Sequence, residues 1–245
     1  MKIYMENLTH LLFPPRCPFC DKVLFSSVFL EQQWVCPACV RKPEYVQEPV
    51  CKKCGKPLED QRKEYCYDCK KQKHIFRQGK ALWVYQKETR SSIYRFKYQG
   101  RQEYAHYYGR ELAQKYGAWI EKCQIDGLVP IPLSRKRQWQ RGFNQAALIA
   151  KEVSRQTGIP VYEDLLVRVR DTRAQKELND EERKNNLKKA FKTKANKVQL
   201  DHILLIDDIY TTGSTMNEAA DQLRKSGTDE VYCLSLSIGR GYQEE

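Results

Sequence analysis

The sequence predicts an α/β protein: a mostly parallel sheet with helices on both faces, preceded by a small cysteine-rich module that binds zinc. Three observations predict it. Beyond residue 80, short aliphatic runs alternate with helical patterns. Eight of the ten cysteines lie between Cys17 and Cys69, all in C-x-x-C pairs. The aliphatic run Ile203–Ile206 ends in two acids and a hydroxyl-rich turn, an arrangement suited to a ligand at a sheet edge.

At 245 residues the chain accommodates one ordinary domain and a small satellite. We expect the cysteine module over residues 1–75 and the α/β domain over 76–245. No apolar run reaches the roughly 20 residues of a spanning helix, so no membrane insertion is expected. Residues 1–15 carry a short apolar patch (Leu8, Leu11, Leu12, Phe13) without a basic start, a long apolar segment or a small-residue cleavage site. A signal peptide is therefore not expected, and the expected location is cytoplasmic. The formal charge is +12. Eight thiolates holding two dications would lower it to about +8, still favouring a polyanionic partner. Charge alone does not separate nucleic acid from nucleotide substrates.

The pairs are Cys17/Cys20, Cys36/Cys39, Cys51/Cys54 and Cys66/Cys69. A disulfide scaffold needs an oxidising compartment and gains little from bridging residues so close together. A redox C-x-x-C normally occurs singly beside a βαβ unit. Four pairs fit zinc, because each supplies two thiolates on one tight turn and two turns complete a tetrahedron. Pro18, Pro37 and Gly55 suit such turns. Sequential pairing (first with second, third with fourth) closes shorter loops than cross-bracing and is favoured for that reason; the sequence leaves both open. With all ligands sulfur and no position free for water, both Zn²⁺ ions are expected to be structural. The lone Cys123 and Cys233 are expected to be ordinary buried thiols.

Lys70–Lys73 reads as a linker. A strand is expected over 81–85, a helix over 91–98 and a longer helix over 103–122, with Leu112, Tyr116, Trp119 and Ile120 inward. A short buried strand follows over 128–131. The next helix spans 144–157, capped by Asn144 and ended by Gly158 and Pro160. Strands are expected over 165–169 and 203–206, a helix over 214–225 stopped by Gly227, and a closing strand over 231–238.

The stretch Ile203–Thr215 carries the clearest chemistry. Asp207 and Asp208 can accept hydrogen bonds from vicinal ribose hydroxyls. The backbone N–H groups of the turn and helix start can hold a phosphate, with hydroxyls from Thr211, Thr212, Ser214 and Thr215. Gly213 permits a close backbone approach. An N-capped helix alone would account for Ser214 and Thr215 but not for two adjacent acids. A Walker B strand would need a partner G-x-x-x-x-G-K-[ST] loop, which the sequence lacks, and there is no G-x-G-x-x-G. A second basic turn follows Val129–Ser134, with Leu133, Ser134, Arg135, Lys136, Arg137 and Arg141. Its arginines suit phosphate oxygens, although a solvated turn before a capped helix would also have this composition. Tyr94, Arg95, Phe96, Lys97, Tyr98 and Arg101 interleave aromatics with cations. They suit base stacking or, at helical spacing, core packing.

Ile203–Thr215 resembles the phosphoribosyl pyrophosphate (PRPP) motif of type I phosphoribosyltransferases, with Tyr210 where an aliphatic is usual. That resemblance implies a type I phosphoribosyltransferase-like sheet. Asp207 and Asp208 would hold the ribose hydroxyls, directly or with Mg²⁺, and Thr211–Thr215 would take the 5′-phosphate. Leu133, Ser134, Arg135 and Arg141 would meet pyrophosphate. The polar segment 168–191 falls where such enzymes place a flap over PRPP, which singles out Arg173 and Lys176 as cations for the departing pyrophosphate.

With the cysteine module, Pro130-Ile131-Pro132-Leu133-Ser134, Arg141-Gly142-Phe143-Asn144-Gln145 and Asp207–Gly213 in one order, nearly the whole chain resembles the ComF family. The resemblance implies a double zinc-ribbon module, PRPP as ligand and a part in uptake or processing of transforming single-stranded DNA beside the competence helicase. It leaves open whether phosphoribosyl transfer is catalysed. A metabolic phosphoribosyltransferase with an unknown acceptor, the zinc module acting as a lid, and a non-catalytic PRPP sensor that switches affinity for DNA or protein remain alternatives.

Overall fold

The computed structural model describes residues 14–24, 34–169, 190–194 and 198–240. In chain order the elements are α1 (Tyr67–Lys71), β1 (Gly79–Val84), α2 (Lys87–Tyr98), α3 (Tyr104–Lys122), β2 (Gly127–Pro130), α4 (Arg135–Arg141) and α5 (Gln145–Thr157). After these come β3 (Leu166–Arg168), β4 (Phe191–Thr193), β5 (His202–Tyr210), α6 (Ser214–Lys225) and β6 (Glu230–Ile238). Four strands form a parallel sheet in the order β1–β6–β5–β2. The strand expected at 165–169 lies outside it: β3 pairs antiparallel with β4 in a sheet of their own.

Strand alternation divides the core into two layers. Leu204 and Ile206 of β5, with Leu82, Leu128, Leu234 and Leu236, face a layer built from α2, α3 and α5. Ile203 and Leu205, with Ala81, Val129, Val231 and Cys233, face α6, β4 and the second half of the cysteine module. Helices α3 and α5 pack closely at Gly109, where an added Cβ would come within 2.2 Å of the Glu152 Cβ. Asn144 caps α5 by accepting from the Ala146 N–H, and Gly158 closes it in the left-handed conformation.

The cysteine module grips the edge of the sheet rather than hanging from it. Cys17, Phe19 and Cys39 pack into the α3/α5 layer, whereas Cys51, Cys54 and Cys66 pack into the α6 layer. Between the two halves, residues 44–46 run antiparallel to β1: the Val46 N–H donates to Leu82 O and the Val84 N–H to Glu44 O. Phe19 meets Trp83 edge-on at 5.5 Å, and the Arg95 guanidinium donates to the carbonyls of Pro18 and Phe19.

Several boundaries differ from the sequence expectation. Lys70 and Lys71, expected in a linker, close α1. Helix α4 stands where a basic loop was expected, and β5 continues through the acid pair to Tyr210. Cys233 is buried as expected, but Cys123 is only half-buried at the end of α3.

Candidate functional site

The two halves of the cysteine module repeat one local design. In the first, the Cys17 N–H donates to Lys22 O and Asp21 takes a positive φ of 60°; in the second, the Cys51 N–H donates to Lys56 O and Gly55 has φ 76°. Each turn thus folds back five residues after its first cysteine. The non-glycine Asp21 is held there by its side chain, which accepts from the Tyr104 hydroxyl and the Arg101 guanidinium.

The four sulfurs of Cys17, Cys20, Cys36 and Cys39 lie within 4.8 Å of one another, as do those of Cys51, Cys54, Cys66 and Cys69. The grouping is sequential, not cross-braced. Sγ–Sγ distances of 3.7 Å (Cys20–Cys36) and 3.6 Å (Cys54–Cys66) match the roughly 3.7 Å edge of a tetrahedron with Zn–S bonds near 2.3 Å. Without a cation the sulfurs frustrate one another. Thiol donors from Cys54, Cys66 and Cys69 push Cys51 far down, while Cys54 and Cys69 are pushed up; burial raises Cys39 to about 12. Both clusters fit a structural Zn²⁺, and no water position remains in an all-sulfur tetrahedron.

The second candidate lies at the carboxyl edge of the sheet. Strand β2 ends at Pro130, opposite Ile206, so β5 outruns it and presents Asp207 and Asp208 where that neighbour has stopped. Asp208 is 8% exposed and pairs with the Lys97 Nζ at 2.8 Å. Asp207 accepts from the Asp208 N–H at 2.8 Å. Burial and the neighbouring Asp208 charge raise Asp207 to about 7, with Lys97 and Arg168 pulling the other way.

Beyond Tyr210 the chain turns through Gly213 (φ 81°) into α6. An alanine at 213 would put its Cβ 2.1 Å from the Tyr210 hydroxyl, so glycine is required by both conformation and space. Gly213 caps α6 without a side chain, and the Thr212 and Ser214 hydroxyls, which bond each other at 2.9 Å, stand at this helix start, where the backbone dipoles favour an anion. The turn rests on the second cysteine cluster. Buried Lys56 pairs with Asp68 at 2.5 Å and points its Nζ at Thr211 O, 3.4 Å away. Phe76 meets Tyr210 edge-on at 6.3 Å.

The turn after β2 leaves the same edge. The Asn144 Nδ2 donates to Ile131 O, pinning this turn to the start of α5, and Ser134 caps α4. Arg135 is exposed at the start of α4. Arg141 lies over the Tyr98 ring, beside the residue that holds Asp208. The structure thus brings the predicted residues 133–135, 141, 207, 208 and 211–215 to one side of the sheet. The Val169 N–H donates to Ala190 O where the 168–191 segment leaves and returns; Arg173 and Lys176 lie outside the described residues.

Lys56 and Lys97 were not singled out from sequence for these contacts, since neither lies near Asp208 or Thr211 in the chain. Among the described residues, no helix is long and apolar enough to cross a membrane.

Residues 8–70 match the Double zinc ribbon domain family and residues 144–244 the Phosphoribosyl transferase domain family. The chain is 30% identical over 231 residues to Competence protein F of Haemophilus influenzae, covering 91% of this chain and 96% of that one. It is 29% identical over 225 residues to Competence protein ComFC of Bacillus subtilis, covering 86% and 89%. It is also 30% identical over 234 residues to DNA utilization protein YhgH of Salmonella typhimurium, covering 93% and 100%. Among solved structures, adenine phosphoribosyltransferase from Leishmania donovani aligns at 13% identity and a TM-score of 0.31 over 53% of this chain and 65% of that one.

Proposed function

The chain belongs to the ComF family, and from that premise we propose that it binds Mg²⁺–PRPP at the carboxyl edge of its sheet and serves the handling of single-stranded DNA in natural competence. One observation carries the reading: β5 delivers an acid pair and an anion-ready helix start to a single edge, within the region matched to the phosphoribosyl transferase domain. The relatives' names, competence proteins and a DNA utilization protein, support the cellular side of it. A cytosolic place beside the competence helicase belongs to the same proposal.

In this reading the 5′-phosphate lies against the first-turn N–H groups of α6 and the hydroxyls of Thr211, Thr212, Ser214 and Thr215. Asp207 and Asp208 hold the ribose hydroxyls or the Mg²⁺, a hard dication for which paired carboxylate oxygens are suitable donors. Leu133, Ser134, Arg135 and Arg141 face the pyrophosphate, with Arg173 and Lys176 as further cations. Bound Mg²⁺ supplies charge neutralisation for pyrophosphate. Lys97 holds the Asp208 side chain in place while that carboxylate accepts a ribose hydroxyl. Asp207 must release its proton to serve as a ligand, so binding strengthens as pH rises through about 7.

Equilibrium dialysis with radiolabelled PRPP tests the reading. Retention is expected only with Mg²⁺, with displacement by both ribose 5-phosphate and pyrophosphate. Zinc-loaded protein that retains no PRPP at any Mg²⁺ concentration would refute it.

A further inference from the structure

The stretch Arg141-Gly142-Phe143-Asn144-Gln145 joins α4 to α5. Gln145 opens α5 and is 1% exposed, a rare place for an amide. Its Oε1 accepts from the Arg141 Nη1 at 2.7 Å. Arginine carries donors only, so the amide oxygen must face it and the amide cannot be turned the other way. The buried Nε2 is thereby left without a hydrogen-bond partner among the described residues. An orphaned buried donor is destabilising. A glutamate of the same length would strand no N–H. It would pair with Arg141 by charge as well as by hydrogen bond, at the positive end of α5. The chain keeps a neutral partner instead. The other contacts described for Arg141 are equally neutral: the Tyr98 hydroxyl at 3.0 Å and the Tyr98 ring, 4.9 Å from the guanidinium carbon. The cation is thus held from two sides with its charge left whole, whereas Lys97, next to Tyr98 in the chain, is matched by Asp208 at 2.8 Å.

We propose that Gln145 is a positioning residue for the pyrophosphate end of the ligand: its neutral hydrogen bond fixes the Arg141 guanidinium and leaves the full positive charge for phosphate oxygens. With one N–H on each terminal nitrogen engaged, the Nε–H and the second N–H of each remain to donate. Two-pronged pairing with phosphate depends on the direction of those groups, which the Gln145 and Tyr98 contacts set. A carboxylate at position 145 would hold the same guanidinium but cancel the charge that a polyphosphate seeks. The amide therefore decides the charge at this end of the site, and the orphaned Nε2 is what that neutrality costs. The role rests on the proposed function in placing a pyrophosphate group beside Arg141; Gln145 itself touches no ligand and acts through the arginine.

The test is calorimetric titration of Mg²⁺–pyrophosphate and, separately, of ribose 5-phosphate into the zinc-loaded full chain. Gln145→Glu is expected to keep its urea midpoint and to bind pyrophosphate about tenfold to a hundredfold more weakly, with ribose 5-phosphate affinity unchanged. Arg141→Gln is expected to lose as much. Adding Gln145→Glu to it should change little more, because the two side chains act as one unit. Gln145→Met keeps the length of the side chain and removes both the acceptor and the orphaned donor. Its midpoint should not fall, and its pyrophosphate affinity should drop about fivefold, a loss with no stability explanation. Pyrophosphate affinity unchanged in Gln145→Glu and Gln145→Met, equal losses for both ligands, or additive effects in the double variant would overturn the role of Gln145. Wild type that binds pyrophosphate but not ribose 5-phosphate would refute the PRPP reading and leave this one standing. Wild type that binds ribose 5-phosphate but not pyrophosphate would overturn this one and leave the phosphate turn in place.

Discussion

Replacing Lys56 separates two roles that the structure combines in one side chain. Its side chain is 4% exposed, its ammonium pairs with Asp68 at 2.5 Å, and the same nitrogen approaches Thr211 O at 3.4 Å. Burial alone would push the amine down, but the Asp68 hydrogen bond and charge outweigh it and hold the lysine charged. Removing one partner of a fully buried ion pair costs about 3–5 kcal/mol. Asp68 keeps 19% of its side chain in water, so Lys56→Met should cost about 2–3 kcal/mol, read as a lower urea midpoint. Lys56→Met/Asp68→Leu removes the stranded carboxylate and should recover most of that stability. Neither variant restores the contact with Thr211. A hydrogen bond worth about 1 kcal/mol predicts PRPP affinity about fivefold weaker in both. A double variant with recovered stability and undiminished affinity would refute the claim that the second cysteine cluster positions the phosphate turn.

Three further outcomes follow from the packing. Cys54→Ser should lower zinc content from two ions per chain to one by elemental analysis, with the first cluster intact; loss of both ions would contradict the independence of the clusters. Gly109→Ala forces α3 away from Glu152 and should cost about 1–3 kcal/mol by urea unfolding; an unchanged midpoint would mean that the two helices separate freely. Burial, and then the Lys53 charge, hold buried His74 down at about 4. The unfolded imidazole takes its proton near pH 6.5 and the folded one only near 4. Its contribution is therefore complete above pH 6.5 and falls away on acidification, by about 2 kcal/mol between pH 7 and pH 5. His74→Phe should lose that portion of the acid sensitivity; identical pH dependence in both proteins would refute the assignment.

What could be read from the chain depended on whether the signal was local. Four C-x-x-C pairs declare both sulfur clusters, and short loop closure favours the pairing found. The aliphatic run before Asp207 and the caps at Asn144 and Gly158 declare their elements for the same reason. Helix α4 escaped notice because Arg-Lys-Arg-Gln-Trp-Gln-Arg offers no apolar stripe to count; its remaining signals were Ser134 at one end and Gly142, in the left-handed conformation, at the other. Strand β5 was read short because acids rarely occupy a strand. These two do so because β2 has already ended beside them. The stretch from Tyr94 to Tyr98 supported both base stacking and core packing, and the helix divides them: Phe96 is fully buried, Tyr94 and Tyr98 face out, and Lys97 turns to Asp208. The Lys97–Asp208 and Lys56–Thr211 contacts span 111 and 155 residues, separations at which composition and periodicity say nothing.

Calorimetric titration of Mg²⁺–PRPP into wild type and into Asp207→Ala/Asp208→Ala, both zinc-loaded and folded, tests the central claim most directly. Saturable binding to wild type, strengthening from pH 6 to pH 8, is expected, and none to the double variant. Equal binding to both proteins would contradict the assignment of the β5 acid pair.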